Sequence, residues 1–281
     1  MTVFDLPAVD DLVRAALAED LGGGDVTTRL TVAPQTAARA EISAKQDLVV
    51  AGVPLVRKVC AAVGGDVEVQ ERVGDGARLS SGDGIAGLAG AAYTLLSVER
   101  VILNLLQHLS GIATLTARFV SAVSGSRCRI VDTRKTLPGL RVLEKYAVRV
   151  GGGFNHRQRL DDGILIKNNH ITAAGGIGPA VAAARAGAPH GLKIEVECSS
   201  FDEVDAALTA GAEIVLLDNM SVEQLRQAVQ RIAGRALVEA SGGVTLNSVR
   251  AIAATGVDLI SVGALTHSAP AVDIHMTLFL V

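Results

Sequence analysis

Positive charge in this chain is concentrated in one window. Residues 134–167 hold eight Lys or Arg (Arg134, Lys135, Arg141, Lys145, Arg149, Arg157, Arg159 and Lys167) against three acids (Glu144, Asp161 and Asp162), in a chain whose formal net charge is −3. Guanidinium forks pair with carboxylates and phosphates in bidentate fashion, so a convergent subset of these groups would bind a small polyanion. Arg134, Lys135, His156, Arg157 and Lys167 are the candidates, because they stand at strand ends or in the glycine-initiated loop 151–157. Arg141, Lys145 and Arg149 recur at helical spacing after Pro138 and are expected on the solvated face of that helix.

Carboxylates accompany the cations. Glu195 and Glu197 are two apart on a strand and face one side, while Asp218 ends the next strand. Beside a phosphate site, such acids point to Mg²⁺ held through few protein ligands, waters and substrate oxygens. The plainer alternative for Glu195 is an ion pair with Lys135 or Lys167. Lys167 also permits a Schiff-base reading, but the cations around it favour anion binding. Ser241-Gly242-Gly243 and Gly263-Ala264 each follow a strand; small residues there let backbone N–H groups cradle a phosphate, with Thr245 as N-cap of the next helix. His108 and His170 are expected as satisfied core or loop histidines.

The elements that must position these groups repeat. From Arg127 a β-rich run and an amphipathic helix alternate in units of roughly 20 to 25 residues, the mark of parallel βαβ architecture. The runs are RIVDT (129–133), GILIKN (163–168), LKIEVE (192–197), EIVLLDN (213–219), ALVEAS (236–241) and DLISVGA (258–264). Each apolar run breaks into polar residues at its C-terminal end, where ligands meet parallel sheets. Six such strands either close into a barrel or stay open; nearly unbroken apolar runs favour burial on both faces and hence the barrel.

Upstream, Val9, Leu12, Val13, Ala16 and Leu17 set a helix from Pro7 to Asp20, ended by Gly22 to Gly24. Short strands in 37–51 and 66–89 flank a helix over 53–63, an α+β sandwich pattern. Residues 91–124 form one or two apolar helices, broken near Ser110-Gly111. The predicted organisation is therefore α/β: an N-terminal α+β sandwich domain (1–112), a βα-barrel of about six parallel strands (113–269), and an apolar tail (270–281) that returns to the N-terminal domain.

Composition excludes several classes of function. A 49% hydrophobic chain of 281 residues has ample material for a core, and its slight acidic balance lacks the basic excess that coating nucleic acid requires. Aromatics at 2%, with no Trp, leave little for stacking platforms. Three widely spaced cysteines, with no Cys-x-x-Cys pair, suggest neither a disulfide framework nor a zinc knuckle, and point to a reducing compartment. The acidic N-terminus lacks the pattern of a signal peptide, and Asn104, Gln107, His108 and Arg118 interrupt the most apolar stretch, so no membrane span and a cytoplasmic protein are expected.

The run DTRKTLPGLRVLEKYAVRVGGGFNHR, then DDGILIKNNHI, IEVE, LLDN, ASGG and VGALTHS, closely resembles the quinolinate phosphoribosyltransferase family. Upstream matches in EDLGGGDVTT, LVVAG, ERVGDGARL and SVERVILNLLQHLSGIAT extend the likeness over nearly the whole chain. The resemblance implies transfer of phosphoribose from phosphoribosyl pyrophosphate to quinolinate with decarboxylation, by a homodimer whose barrel site is completed by the partner's N-terminal domain. Arg100 would be contributed in trans. Arg134, Lys135, His156, Arg157 and Lys167 would hold the quinolinate carboxylates and the pyrophosphate. Glu197 and Asp218 would serve Mg²⁺ and the ribose hydroxyls, and Ser241, Gly242, Gly263 and His267 would surround the 5-phosphate. Asn168 and Gln158-Arg159 depart from the usual pattern without replacing a matched ligand. The rivals are a paralogous transferase of another substrate and a non-catalytic anion sensor, but no charged strand end is lost.

Overall fold

The computed structural model describes residues 2–64 and 66–281. Its first helix, α1 (Pro7–Leu21), buries Val9, Val13 and Leu17 along one stripe, and Pro7 sits in the first turn, where no N–H is needed. A short α2 (Val26–Thr31) starts at Asp25, whose carboxylate accepts the Thr28 N–H at 3.0 Å. Then come β1 (Ala37–Ala44), β2 (Leu48–Val49), α3 (Pro54–Val63), β3 (Glu68–Glu71), β4 (Arg78–Leu79), β5 (Gly84–Ala91) and the long α4 (Ala92–Ala122). The remainder alternates: β6 (Arg129–Val131), α5 (Arg141–Val150), β7 (Ile164–Ile166), α6 (Asn168–Ala174), α7 (Ile177–Gly187), β8 (Ile194–Cys198), α8 (Phe201–Ala210), β9 (Ile214–Asp218), α9 (Val222–Ile232), β10 (Leu237–Ser241), α10 (Val249–Ala253), β11 (Leu259–Ser261), α11 (Ala264–His267) and β12 (Ile274–Leu280).

Two compact units result, one made of the residues up to Ala117 with Thr136–Gly152 and Leu265–Val281, the other of Arg118–Lys135 and Gly153–Ala264. The first holds an antiparallel sheet in the order β12-β1-β5-β3, so the C-terminal strand pairs with β1 from Ala38↔Leu280 to Ala44↔Ile274. Ile42, Leu95, Ile102, Leu106, Leu109 and Ile112 are fully buried there.

Contrary to the expectation of a break at Ser110-Gly111, α4 runs straight through. The two small residues serve close approach instead. The Ser110 hydroxyl accepts the Ala51 N–H at 3.0 Å, and a Cβ on Gly111 would lie 2.2 Å from the Pro270 carbonyl oxygen. Gly111→Ala is therefore expected to lower unfolding free energy by about 2–3 kcal/mol, read from urea denaturation; an unchanged midpoint would show that the 270 segment yields freely. Lys145 is also corrected: it is 2% exposed rather than solvated, because α5 buries a broad band, Leu143 to Lys145 with Ala147 and Val148. Glu144, beside it, accepts from His108 Nε2 at 2.9 Å and from the Leu137 N–H at 3.1 Å.

The second unit is a parallel sheet in the order β6-β11-β10-β9-β8-β7. Strands β7 to β11 neighbour one another in chain order, and β6, the first, lies against β11, the last. This is the strand order of a barrel opened at one seam. Among the described residues no ladder joins β6 to β7. On the open side of β6, Phe154 bridges Val131 in parallel, donating its N–H to the Ile130 carbonyl at 2.9 Å and accepting from the Asp132 N–H at 3.1 Å. Side-chain caps fix where outer helices begin: Ser200 accepts from the Glu203 N–H for α8, and Ser221 with Gln224 forms a capping box for α9. Thr245 caps in the same way the turn that leads into α10, its Oγ1 accepting the Ser248 N–H at 3.3 Å. Its own N–H donates to Ser248 Oγ at 3.0 Å, and regular α10 begins one turn later at Val249, whose N–H donates to the Thr245 carbonyl at 2.9 Å.

Candidate active site

At the C-terminal ends of these strands lies a cavity of about 330 Å³, which brings together Arg134, Lys135, His156, Arg157, Lys167, Glu197, Asp218 and Ser241. Gly242 adjoins it in sequence. Its φ is +97°, and a Cβ there would fall 2.2 Å from Asn219 Oδ1, so only glycine lets this turn lie against the end of β9. Gly263 follows β11 two residues after Ser261, which also lines the cavity. Arg100, exposed on α4, and His267, exposed at the end of α11, belong to the first unit.

Buried Asp132, at the end of β6, holds the glycine-rich loop in place. Its carboxylate accepts from Asn155 Nδ2 at 2.6 Å and from the His156 N–H at 2.9 Å. The Arg157 N–H donates to His156 Nδ1 at 2.7 Å, which leaves the ring proton on Nε2, facing Glu195 Oε2 at 3.0 Å. Both ring nitrogens of His156 are thus engaged within the chain. The Arg157 guanidinium donates to the Gly163 carbonyl at 2.9 Å. Burial, then the charge of Arg134, holds Arg157 below the usual guanidinium range, while Glu195 and Asp162 act against that shift.

Arg134 carries the site's clearest vacancy for an anion: its Nε is buried without a hydrogen-bond partner. Lys167 instead pairs with Glu197 at 2.8 Å, so the glutamate expected to pair with lysine is Glu197, not Glu195. The difference lies in the loop: it aims His156, not a lysine, at the lower acid. Asp218 Oδ2 accepts from Asn219 Nδ2 at 2.9 Å.

A buried acid layer beneath the cations was only partly visible in sequence. Glu239, read there as strand-end polarity alone, is 1% exposed and Glu195 is 4% exposed. Each has an Oε1 that is buried and unpartnered, and Glu239 Oε1 lies 3.9 Å from His156 Nε2. Burial, then the charge of Glu195, pushes the Glu239 carboxyl up to about 7, with His156 opposing. The ligand atoms of His156, Glu195 and Glu239 all lie within 4.8 Å of one another, but the imidazole N–H already answers Glu195 without an ion. The signal available in sequence was an acid inside each of the runs LKIEVE and ALVEAS, where a barrel interior is ordinarily apolar.

A larger cavity of about 890 Å³ in the first unit is lined by Arg14, Arg57 and Lys58 among others. Its cations are already answered, Arg14 by Asp11 at 2.5 Å, Lys58 by Asp10 at 2.5 Å and Arg57 by Glu71 at 3.6 Å, so no orphaned charge gathers there.

A cationic cup with interleaved carboxylates, set at the strand ends of a parallel α/β sheet, defines a protein that takes up a small polyanion. Comparison with known proteins narrows the class. Residues 112–277 match the quinolinate phosphoribosyl transferase C-terminal domain and residues 25–110 the N-terminal domain. The chain is 48% identical to the nicotinate-nucleotide pyrophosphorylase (carboxylating) of Mycobacterium leprae, over 98% of each chain. It is 45% identical to a probable enzyme of the same name from Bacillus subtilis, over 92% of this chain and 89% of that one. The crystal structure of NadC from Streptococcus pyogenes superposes with a TM-score of 0.93 at 42% identity, covering 100% of this chain and 99% of that one. The chain belongs to the quinolinate phosphoribosyltransferase family, and it is an enzyme of the decarboxylating phosphoribosyltransferase kind. No helix among the described residues is long and apolar enough to cross a membrane.

Proposed function

We propose that this protein transfers phosphoribose from phosphoribosyl pyrophosphate to the ring nitrogen of quinolinate and decarboxylates the adduct, yielding nicotinate mononucleotide, pyrophosphate and carbon dioxide for NAD biosynthesis. The observation that carries this reading is the cup itself: Arg134, Lys135, Arg157 and Lys167 converge on one cavity, and one guanidinium nitrogen is buried with nothing to bind. That arrangement suits an aromatic dicarboxylate beside a pyrophosphate.

Catalysis here is largely electrostatic positioning. Arg134 and Arg157 hold the acceptor's carboxylates. Lys135 and Lys167 face the charge that grows on the departing pyrophosphate, and Ser241, Gly242 and Gly263 cradle the 5-phosphate through small residues at strand ends. Magnesium suits the donor set: Glu197 and Asp218 offer hard carboxylate oxygens on neighbouring strands and would hold it together with substrate oxygens and water. When bound, it would supply positive charge to offset that of the pyrophosphate. Attack by the pyridine nitrogen on the anomeric carbon makes the ring cationic, and the adjacent carboxylate then leaves as carbon dioxide; no protein nucleophile is needed. We assign the enzyme to the cytoplasm, in keeping with its free and buried Cys60, Cys128 and Cys198. We further assign it a homodimeric state, in which the partner subunit's Arg100 and its N-terminal domain complete each barrel site.

Purified protein supplied with quinolinate, phosphoribosyl pyrophosphate and Mg²⁺ is expected to release nicotinate mononucleotide and carbon dioxide, with nicotinate inert beside it. Turnover only with nicotinate would assign a different acceptor, and no turnover with either would remove the catalytic reading.

A further inference from the structure

Decarboxylation leaves an electron pair on a ring carbon, and something must protonate it. We propose that Glu239 is the acid that delivers this proton, and that a second cavity at the opposite end of the barrel resupplies it. The proposal rests on the quinolinate reaction assigned above.

Every other acid lining the upper cavity has a donor that favours its anionic form. Glu197 accepts from Lys167 and Asp218 from Asn219, while Glu195, one layer below, accepts from His156. Glu239 meets only the neutral Ser261 hydroxyl, its Oε1 is buried without a partner, and it shares its surroundings with the Glu195 carboxylate. Two neighbouring carboxyls out of water do not both ionise, so Glu239, 3.9 Å from the His156 N–H that Glu195 meets at 3.0 Å, keeps the proton. Its elevation to about 7 accords with this. An acid of that kind can give up a proton near neutral pH.

The route for replacement is also present. A second cavity of about 310 Å³ is lined by Ile164, Ile214 and Leu259, the first residues of β7, β9 and β11, and so opens at the N-terminal ends of the strands. Glu239, His156 and Arg157 line both cavities. Glu239 thus meets substrate on one side and a separate space on the other. In the step itself, the bond from ring carbon to carboxylate breaks and its electron pair stays on the carbon as carbon dioxide departs. That pair takes the Glu239 proton to form the C–H bond; until it does, carbon dioxide held beside the ring recombines with the pair and restores the carboxylate, so net release depends on the proton. The carboxylate left behind is reprotonated by water through the lower cavity.

The test compares wild type with Glu239→Gln in single turnovers, following pyrophosphate and carbon dioxide separately. Wild type is expected to release both in equal amounts; if it releases neither, the assigned reaction fails before this proposal is reached. In Glu239→Gln, pyrophosphate release is expected within about threefold of wild type, while carbon dioxide release falls about 100-fold and the carboxylated mononucleotide accumulates. Should the glutamine variant not fold, Glu239→Asp serves the same comparison, with carbon dioxide release slowed more than pyrophosphate release. A merely structural role would slow both products together, and that result, or wild-type release of both, overturns the proposal.

Discussion

Arg134→Ala is expected to lower kcat/KM for quinolinate by about a thousandfold, with the unfolding midpoint close to wild type. Two charge-assisted hydrogen bonds to an anion, at roughly 1.5–3 kcal/mol each, account for a loss of that size. The fold should be spared because the buried Nε of Arg134 has no partner to be orphaned by its removal. Removing one cation also relieves Arg157 of a like charge that opposes its own ionisation. Arg134→Lys restores charge without the fork and should recover only part of the activity. Steady-state kinetics together with a urea titration checks all of this, and near-normal kinetics in Arg134→Ala would remove the residue from the site.

Mixing two inactive variants, Arg100→Ala and Lys167→Ala, should restore about a quarter of wild-type activity after subunit exchange. In a shared-site homodimer, random pairing makes half of the dimers mixed, and each mixed dimer has one site with both residues intact. Either variant alone has none. Exchange is verified by native mass spectrometry with one variant isotopically labelled. Complete exchange without recovery would show that each site is built from a single chain.

Much of the polar rim that lines the cavity was legible because polarity and burial conflict there. Lys167, Glu197, Asp218 and Ser241 each break an apolar run near its end, and all four line the cavity there, whereas Asp132, at the same point of the first run, is buried and holds the loop. The parallel sheet followed from the same runs. Its seam did not, because periodicity tells a strand from a helix but not which edge stays unpaired; on the open side of β6 stands Phe154, one residue of a loop. Pairing inside the barrel was equally hidden. Nothing in LKIEVE distinguishes Glu195, which meets His156, from Glu197, which meets Lys167, since the loop geometry decides. Small residues misled at Gly111, where glycine makes room for the Pro270 segment rather than ending a helix. At Lys145, a charged residue at helical spacing proved to be core.

The antiparallel pairing of β12 with β1 bears on how the chain is made. Residues made only after the whole parallel sheet supply the edge strand of a sheet whose other members, β1, β3 and β5, were made before it. The first unit therefore cannot complete its hydrogen bonding while the parallel sheet is being made, and β1 must wait with an unpaired edge until β12 follows. A ribosome stalled before Ile274 would hold an enzyme whose barrel strands are all present and whose opening domain is still unfinished.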